Sequence, residues 1–349
     1  MRVVVVGASG NVGTALTRRL AREPGVDVVG VARRASRAGA LPVSEWVSRD
    51  ITRDDLVVVF RGADAVVHLA WEIQPSRDLA QLRRTNVTGS ERVFEAALRA
   101  GVGTLVYASS VGAYSPGPKE RRVDESWPTK GVATSFYARH KAEVERLLDR
   151  VEREHPALRS VRLRPGLVFS GDAASGIRRL FIGPLLPSPL GRHVLPVIPR
   201  LPRLAFQCVH SDDVADAYAR AVLSDVRGAF NVAAEPVLDV ERLAEVFGAR
   251  PVPMPVSVVR GAVDLTWRLR LQPTPAGWVD LALGVPLMDC GRVERELGWR
   301  PSRTADGALR ELIEGLRKRT GAPTPPLDPA AGGPARLGEL AGGIGGKNP

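Results

Sequence analysis

Cysteine is nearly missing from this chain. Its 349 residues hold two, Cys208 and Cys290, far apart and without a C-x-x-C. That excludes a disulfide framework and a cysteine zinc site, and it makes a reducing cytoplasm the expected location. Lysine is also scarce: arginine supplies 44 of the 49 basic residues, so the formal charge of +11 is spread over scattered arginines rather than gathered in a basic block. Such a pattern speaks against nucleic-acid binding and, more mildly, for a basic surface that draws in a phosphorylated cofactor or substrate. No apolar run approaches the roughly 20 residues of a membrane helix, and no charged-then-apolar leader precedes the first strand. Neither a membrane nor a secretory route is expected. What remains is 44% hydrophobic and 25% charged, an ordinary soluble balance with room for one large α/β unit or two joined domains.

The most informative stretch begins at Arg2. Val3 to Val6 form a short apolar run suited to a strand buried on both faces, and Gly7, Gly10 and Gly13 follow before Ala15, Leu16 and Leu20 take up helical spacing. Glycines at such a turn let the backbone bend sharply and approach a ligand. The helix that opens there aims free N–H groups and partial positive charge outward, which favours a pyrophosphate. The spacing is G-x-x-G-x-x-G rather than G-x-G-x-x-G, yet its position straight after a valine strand points to a nucleotide.

Strands and helices then alternate. Val26–Ala32, Ala63–Leu69, Thr104–Ala108 and Ser160–Leu163 read as strands, with a short helix start at Asp54–Val57, a helix over Leu79–Ala100 and a long one over Ser135–Glu154. This order predicts a parallel sheet covered on both sides. Past Arg164-Pro165-Gly166 the texture changes. Gly183 to Pro202 carries six prolines, which predicts an extended loop or lid instead of a regular element. Ala205–Val209 and Ala229–Val232 read as strands around a helix at Ser211–Ala221, and 238–316 as mostly helical. From Gly321 the chain is rich in Pro, Gly and Ala and is expected to be disordered.

A second informative stretch is Ser135-Phe-Tyr-Ala-Arg-His-Lys141. On a helix, Tyr137 and Lys141 lie one turn apart on one face. A phenol titrates near 10 and needs a nearby cation to act as an acid–base at neutral pH, which Lys141 can provide while also bonding a ribose. The strand ending at Ala108 runs into Ser109-Ser110, where polar groups of a parallel sheet face the ligand crevice. A serine there can hold a substrate oxygen while the tyrosine moves its proton.

With these pieces in order, the chain resembles the extended short-chain dehydrogenase/reductase superfamily, in its NAD-dependent epimerase/dehydratase branch. The matching segments are Gly7-Ala-Ser-Gly-Asn-Val-Gly13, Asp50-Ile51, Val67-His-Leu-Ala70, Asn86-Val-Thr-Gly89, Ser109-Ser110, Tyr137-x-x-x-Lys141, Arg164-Pro-Gly166, Val209-His-Ser-Asp-Asp213 and Leu297-Gly-Trp-Arg-Pro301. The resemblance implies a Rossmann-type doubly wound parallel sheet with a smaller, mostly helical C-terminal substrate lobe. Residues 1–165 would bind the dinucleotide, with 205–235 returning to that domain; 166–204 and 236–320 would form the lobe, and 321–349 a disordered tail.

It also implies roles. Tyr137 would be the acid–base, Lys141 would lower its pKa and hold the nicotinamide ribose, and Ser110, four before Tyr114, would orient the substrate oxygen. Asn86 would support the lysine. Gly7, Ser9, Gly10, Asn11, Val12 and Gly13 would surround the pyrophosphate, Asp50 and Ile51 the adenine, and Leu69 and Ala70 the cofactor's path, with Pro165 and Gly166 beside the carboxamide. His68 reads as a packed histidine and His210 as a helix cap. A homodimer through two long helices, one bearing Tyr137, belongs to the same expectation.

Two departures refine it. Ala32-Arg33-Arg34 stands where NAD-using members end their second strand in an acidic residue, so Arg33 and Arg34 favour the 2′-phosphate of NADP over NAD. Val111 and Gly112 replace the Asp-Glu pair of 4,6-dehydratases, which argues against that reaction. Trp71, in place of a small residue, either narrows the substrate side or packs the core. The expected function is NAD(P)-dependent hydride transfer on a small-molecule carbinol or carbonyl, as a reductase or dehydrogenase. Two alternatives stay open: a nucleotide-sugar epimerase with tightly bound NAD, and a non-catalytic dinucleotide sensor.

Overall fold

The computed structural model describes residues 1–34, 39–182 and 197–330. Five parallel strands open the chain: β1 (Arg2–Val6), β2 (Asp27–Ala32), β3 (Glu45–Ser48), β4 (Ala65–His68) and β5 (Thr104–Ala108). Arg159–Pro165 and Gly228–Val232 complete a seven-stranded sheet. Its order is Gly228–Val232, Arg159–Pro165, β5, β4, β1, β2, β3, and every pairing is parallel.

The valine run explains why the sheet is covered twice. Side chains alternate along a strand. Val3 and Val5 enter one apolar cluster with Leu16, Leu20, Phe230 and Trp299, while Val4 and Val6 enter another with Phe60, Phe94, Tyr107 and Leu148. Helix α1 (Asn11–Leu20) packs on the first face with Ser211–Leu223, and the helices Gly89–Arg99 and Phe136–Glu154 cover the second. β1 has β2 on one side and β4 on the other. The connections therefore diverge at β1, and a crevice opens above the carboxyl ends of β1 and β4.

A smaller part is built from a three-stranded sheet (Leu167–Phe169, Ala205–His210, Ala234–Asp239) and helices that include Val240–Phe247, Val256–Arg268, Gly277–Gly284 and Ala305–Lys318. No helix among the described residues is long and apolar enough to cross a membrane.

Three sequence expectations need correction. The helix expected over Leu79–Ala100 is broken by a π-helical turn at Arg84–Thr88, with Asn86 at its centre. In the proline-rich segment, Val197–Arg200 is a strand, paired in parallel with Arg250–Pro253. An edge position tolerates Pro199, which has no N–H to give. Residues 183–196 of the expected lid lie outside the described residues, as do 331–349 of the expected tail. Residues 321–330 are not disordered. Thr324, Ala322 and Leu327 are buried, and Arg179 donates to the carbonyls of Pro326 and Asp328.

Candidate active site

The turn after β1 is shaped by close backbone approach. Gly7 has φ +92°, and a Cβ there would come within 2.7 Å of the Ala70 nitrogen; one at Gly13 would lie 2.3 Å from the Gly7 carbonyl oxygen. Only glycine lets β1, the turn and the end of β4 meet this tightly. Gly10 caps α1 without a side-chain bond, which leaves the first N–H groups of the helix (Asn11, Val12, Gly13) turned to the crevice. The Asn11 side chain serves structure instead: its amide donates to the Val168 carbonyl, and its Oδ1 accepts from Ser170 and Ser211. The Ser9 carbonyl accepts a 2.8 Å hydrogen bond from the Thr324 hydroxyl. Nothing in the composition of 321–330 signalled that contact.

At the end of β2, Arg33 forms an ion pair with Glu72, a carboxylate 9% exposed, while its own guanidinium is 56% exposed. Arg34 follows it at the same strand end. Asp50 accepts from the Thr52 N–H and hydroxyl at 2.9 and 2.7 Å. Burial works to raise its pKa, but those bonds and the charges of Arg33 and Arg53 hold it below the ordinary value. Ile51 is buried, pressed on Gly89. Leu69 donates its N–H to the Val6 carbonyl at 2.8 Å, so Leu69 and Ala70 form the crevice wall beside Gly7. Gly166 bonds the Val232 carbonyl, and Pro165 pairs with Val232.

Ser110 caps the turn after β5, its Oγ accepting from the Gly112 N–H at 3.0 Å. Its side chain works to lower the pKa of the neighbouring Tyr137 phenol. Ser109 points away, donating to Glu145. Ser135 caps the helix Phe136–Glu154 and so fixes the turn that carries Tyr137 and Lys141. A Cβ on Gly112 would come within 2.8 Å of the Tyr137 ring, so the turn and the phenol are in mutual contact.

Burial pushes the Tyr137 phenol up to about 12, partly offset by the Ser110 side chain. Burial also pushes the Lys141 ammonium well below its ordinary value, against a smaller opposite pull from Glu145. The Lys141 Nζ donates to the Ala108 carbonyl at 2.6 Å and lies 5.9 Å from the Tyr137 ring centre. Trp71 stands beside them, its ring centre 3.5 Å from that nitrogen and 5.9 Å from the Tyr137 ring. The cation is thus turned to an indole rather than to the phenol. Asn86 does not touch the lysine directly. Both ends of its amide hold the backbone of Glu72, at 2.7 Å each, which fixes the loop that carries Trp71.

Behind the site, Glu145 is fully buried between Arg162 and Arg164 at 2.9 and 2.8 Å. Burial alone would raise its pKa, but the two guanidiniums hold it at about 2. His68 is sealed in the core, bonded to Ser90 and stacked near Tyr107 and Phe94. His210 accepts from the Asp212 N–H as a helix cap. Neither reaches the crevice. Sequence reasoning missed Trp278, 5.1 Å from Tyr137, and Glu145, although Glu145 stands one helical turn past Lys141.

The model of the NAD dependent epimerase/dehydratase family matches residues 3–233. An uncharacterized protein of Mycobacterium tuberculosis is 29% identical over 326 residues, covering 92% of this chain and 31% of the relative. The chain therefore spans about a third of the length of the first curated relatives that it matches. A 4-hydroxy-2-methyl-3-oxo-4-farnesyl-3,4-dihydroquinoline-1-oxide ketoreductase of Stigmatella aurantiaca is 27% identical over 186 residues, 52% of this chain and 54% of that one. Among solved structures, a UDP-glucose 4-epimerase of Thermus thermophilus in complex with NAD superposes with a TM-score of 0.65. It is 22% identical and covers 91% of this chain and 99% of its own.

Proposed function

This chain belongs to the NAD dependent epimerase/dehydratase family, and on that premise we propose that it is an NAD(P)-dependent oxidoreductase that reduces a ketone to an alcohol with Tyr137 as the acid. The reading is carried by the seating of the Tyr137 ring beside Ser110 at the carboxyl end of β5: a Cβ on Gly112 would lie 2.8 Å from that ring and 3.4 Å from the Ser110 Oγ. Held at about 12, the phenol keeps its proton throughout the neutral range and is set to give it to a developing alkoxide. The turn at Gly7–Gly13, which leaves no room for a Cβ at Gly7 or Gly13, and the N-terminus of α1, which has no side-chain cap, fit a pyrophosphate.

A reduced nicotinamide supplies the hydride to the carbonyl carbon when it is bound. Ser110 holds the carbonyl oxygen, and Tyr137 passes its proton to that oxygen and regains one from solvent. The ketoreductase relative supports reduction over epimerisation. Against 4,6-dehydration stands the turn Val111–Gly112, which offers no carboxylate and leaves no room for a Cβ at Gly112. Arg33 and Arg34 at the end of β2 support NADP, because cations there suit a 2′-phosphate.

The experiment follows absorbance at the nicotinamide band with NADPH or NADH against a ketone panel and UDP-glucose, for wild type and Tyr137→Phe. Net oxidation of NADPH by a ketone, reduced about 10²–10⁴-fold in Tyr137→Phe, is the expected result. Sugar interconversion without net absorbance change replaces reduction by epimerisation. Dinucleotide binding with no turnover, indifferent to Tyr137→Phe, overturns the enzymatic reading.

A further inference from the structure

Two rings, Trp71 and Trp278, lie against the Tyr137 ring, and two more, Phe136 and Phe181, pack on Trp278. Trp71 comes from the loop after β4, Phe136 from the first turn of the tyrosine helix, Trp278 from the helix Gly277–Gly284, and Phe181 from the segment Arg178–Ile182. Trp278 is the hub. Its ring lies 5.1 Å from Tyr137, 4.9 Å from Phe181 and 6.2 Å from Phe136, while Trp71 closes the other side at 5.9 Å from Tyr137. The contacts with Phe181, Phe136 and Trp71 are edge-to-face. Such geometries are the favoured ones for aromatic pairs, and a further π system can join the cluster in the same way.

The backbone holds this enclosure in place. The Gly277 backbone sits so close to the Thr134 carbonyl that a Cβ would lie 2.4 Å from its oxygen, which locks the Trp278 helix onto the cap of the tyrosine helix. The Thr274 hydroxyl donates to the Phe181 carbonyl at 2.8 Å, and the Gln74 amide joins the Leu180 and Pro273 carbonyls. Three distant segments are thus tied together around the rings. Trp71, Tyr137, Phe181 and Trp278 are only half-buried. Large aromatic side chains fixed in place but left partly open to water form a binding surface rather than a finished core. The apolar neighbours Val111, Val132, Leu281 and Val285 back that surface. At the strand end, Arg164 is folded inward onto Glu145 and Tyr114 and reaches no substrate.

From this geometry we propose that the site takes a ketone whose carbonyl is fused or conjugated to an aryl ring, the ring seated against Trp278 and Phe181 and the carbonyl oxygen on Tyr137 and Ser110. The assignment rests on the oxidoreductase reading of Tyr137 and adds the substrate class. Trp278 and Phe181 are then specificity-determining residues, touching the part of the substrate that does not react.

The test uses the full chain with NADPH and two ketones that differ in the aryl ring, 1-tetralone and cyclohexanone, beside UDP-glucose. Wild type is expected to favour 1-tetralone over cyclohexanone in kcat/KM by about tenfold or more, the worth of one good aromatic contact. Trp278→Leu is expected to shrink that preference through KM for 1-tetralone, with kcat changing less, and Trp278→Phe to restore most of it. Calorimetry of 1-tetralone binding to NADP⁺-loaded Tyr137→Phe separates recognition from chemistry. Binding there supports the aryl site whatever the catalytic role of Tyr137, and absence of binding there and in wild type overturns it. Equal use of the two ketones, a Trp278→Leu defect of equal size on both, or turnover of UDP-glucose in preference to either also overturns the proposal. The last of these leaves the oxidoreductase or epimerase chemistry of Tyr137 standing.

Discussion

The ammonium of Lys141 lies 3.5 Å from the centre of the Trp71 ring, closer than to any other ring it faces. Under the proposed function a nicotinamide ribose would use that same ammonium, so indole and ribose would compete for one cation. A desolvated contact of this kind is worth on the order of 1 kcal/mol. Trp71→Leu is therefore expected to tighten NADPH binding about fivefold in a fluorescence titration. Weaker binding would mean that Trp71 packs on the bound cofactor instead of opposing it.

The protonation of Tyr137 sets the pH profile. With the phenol at about 12, it stays protonated from pH 6 to 9, and kcat for ketone reduction is expected to be flat there. Alcohol oxidation needs the phenolate, so its rate should climb about tenfold per pH unit over the same interval. A plateau in the oxidative direction below pH 8 would show that bound cofactor brings Lys141 to bear on the phenol.

Glu145 is buried against Arg162 and Arg164, and Arg162 also pairs with Asp149 and Glu152. Removing the Glu145 charge therefore leaves Arg164 as the uncompensated member of a buried cluster. Glu145→Gln is expected to lower stability by about 3–5 kcal/mol in urea unfolding. It should also disturb activity, because Ser109 donates to the same carboxylate and Ser110 follows it. A loss under about 1 kcal/mol would place the cluster among ion pairs of negligible net worth.

Two histidines make the fold acid-sensitive. Burial lowers His68 to about 3 and His140 to about 4, whereas an unfolded histidine titrates near 6.5. The folded chain binds fewer protons than the unfolded one below about pH 6.5, so stability is intact above that value and falls as pH drops. Each group is expected to remove at most about 2 kcal/mol between pH 6.5 and 5. His68→Gln should reduce the slope of stability against pH in that window, whatever it does at pH 7. An unchanged slope would mean that His68 is already charged in the fold.

Thr324 donates to the Ser9 carbonyl inside the nucleotide turn. Thr324→Val is expected to cost about 1 kcal/mol of stability and to speed NADPH release, read by stopped-flow displacement. Unaltered release would show that 321–330 rests clear of the cofactor's exit.

What the sequence revealed was what is local. The Val3–Val6 run, the glycine turn and the Tyr137–Lys141 spacing each sit within a few residues, and the fold places them as their patterns require. Ser109 and Ser110, neighbours in sequence, turn to different partners, Glu145 and the Gly112 N–H. The missed features depend on distant partners. Val197–Arg200 becomes a strand because Arg250–Pro253 lies beside it, and Trp278 reaches Tyr137 only through the seating of Gly277 on Thr134. The low-complexity look of Gly321–Ala330 hid one hydroxyl and one leucine that bury well. Trp71 was read as either narrowing the site or packing; contact with both Lys141 and Tyr137 makes it part of the site's wall.

The bond from Thr324 to Ser9 joins residues 315 positions apart. During synthesis, β1 and its turn emerge before residue 324, and a nascent chain can lay down the early parallel strands in that interval. The turn thus waits, unclasped, until nearly all the described residues have emerged. A chain cut short before residue 320 would leave the Ser9 carbonyl without this clasp however well its sheet had formed.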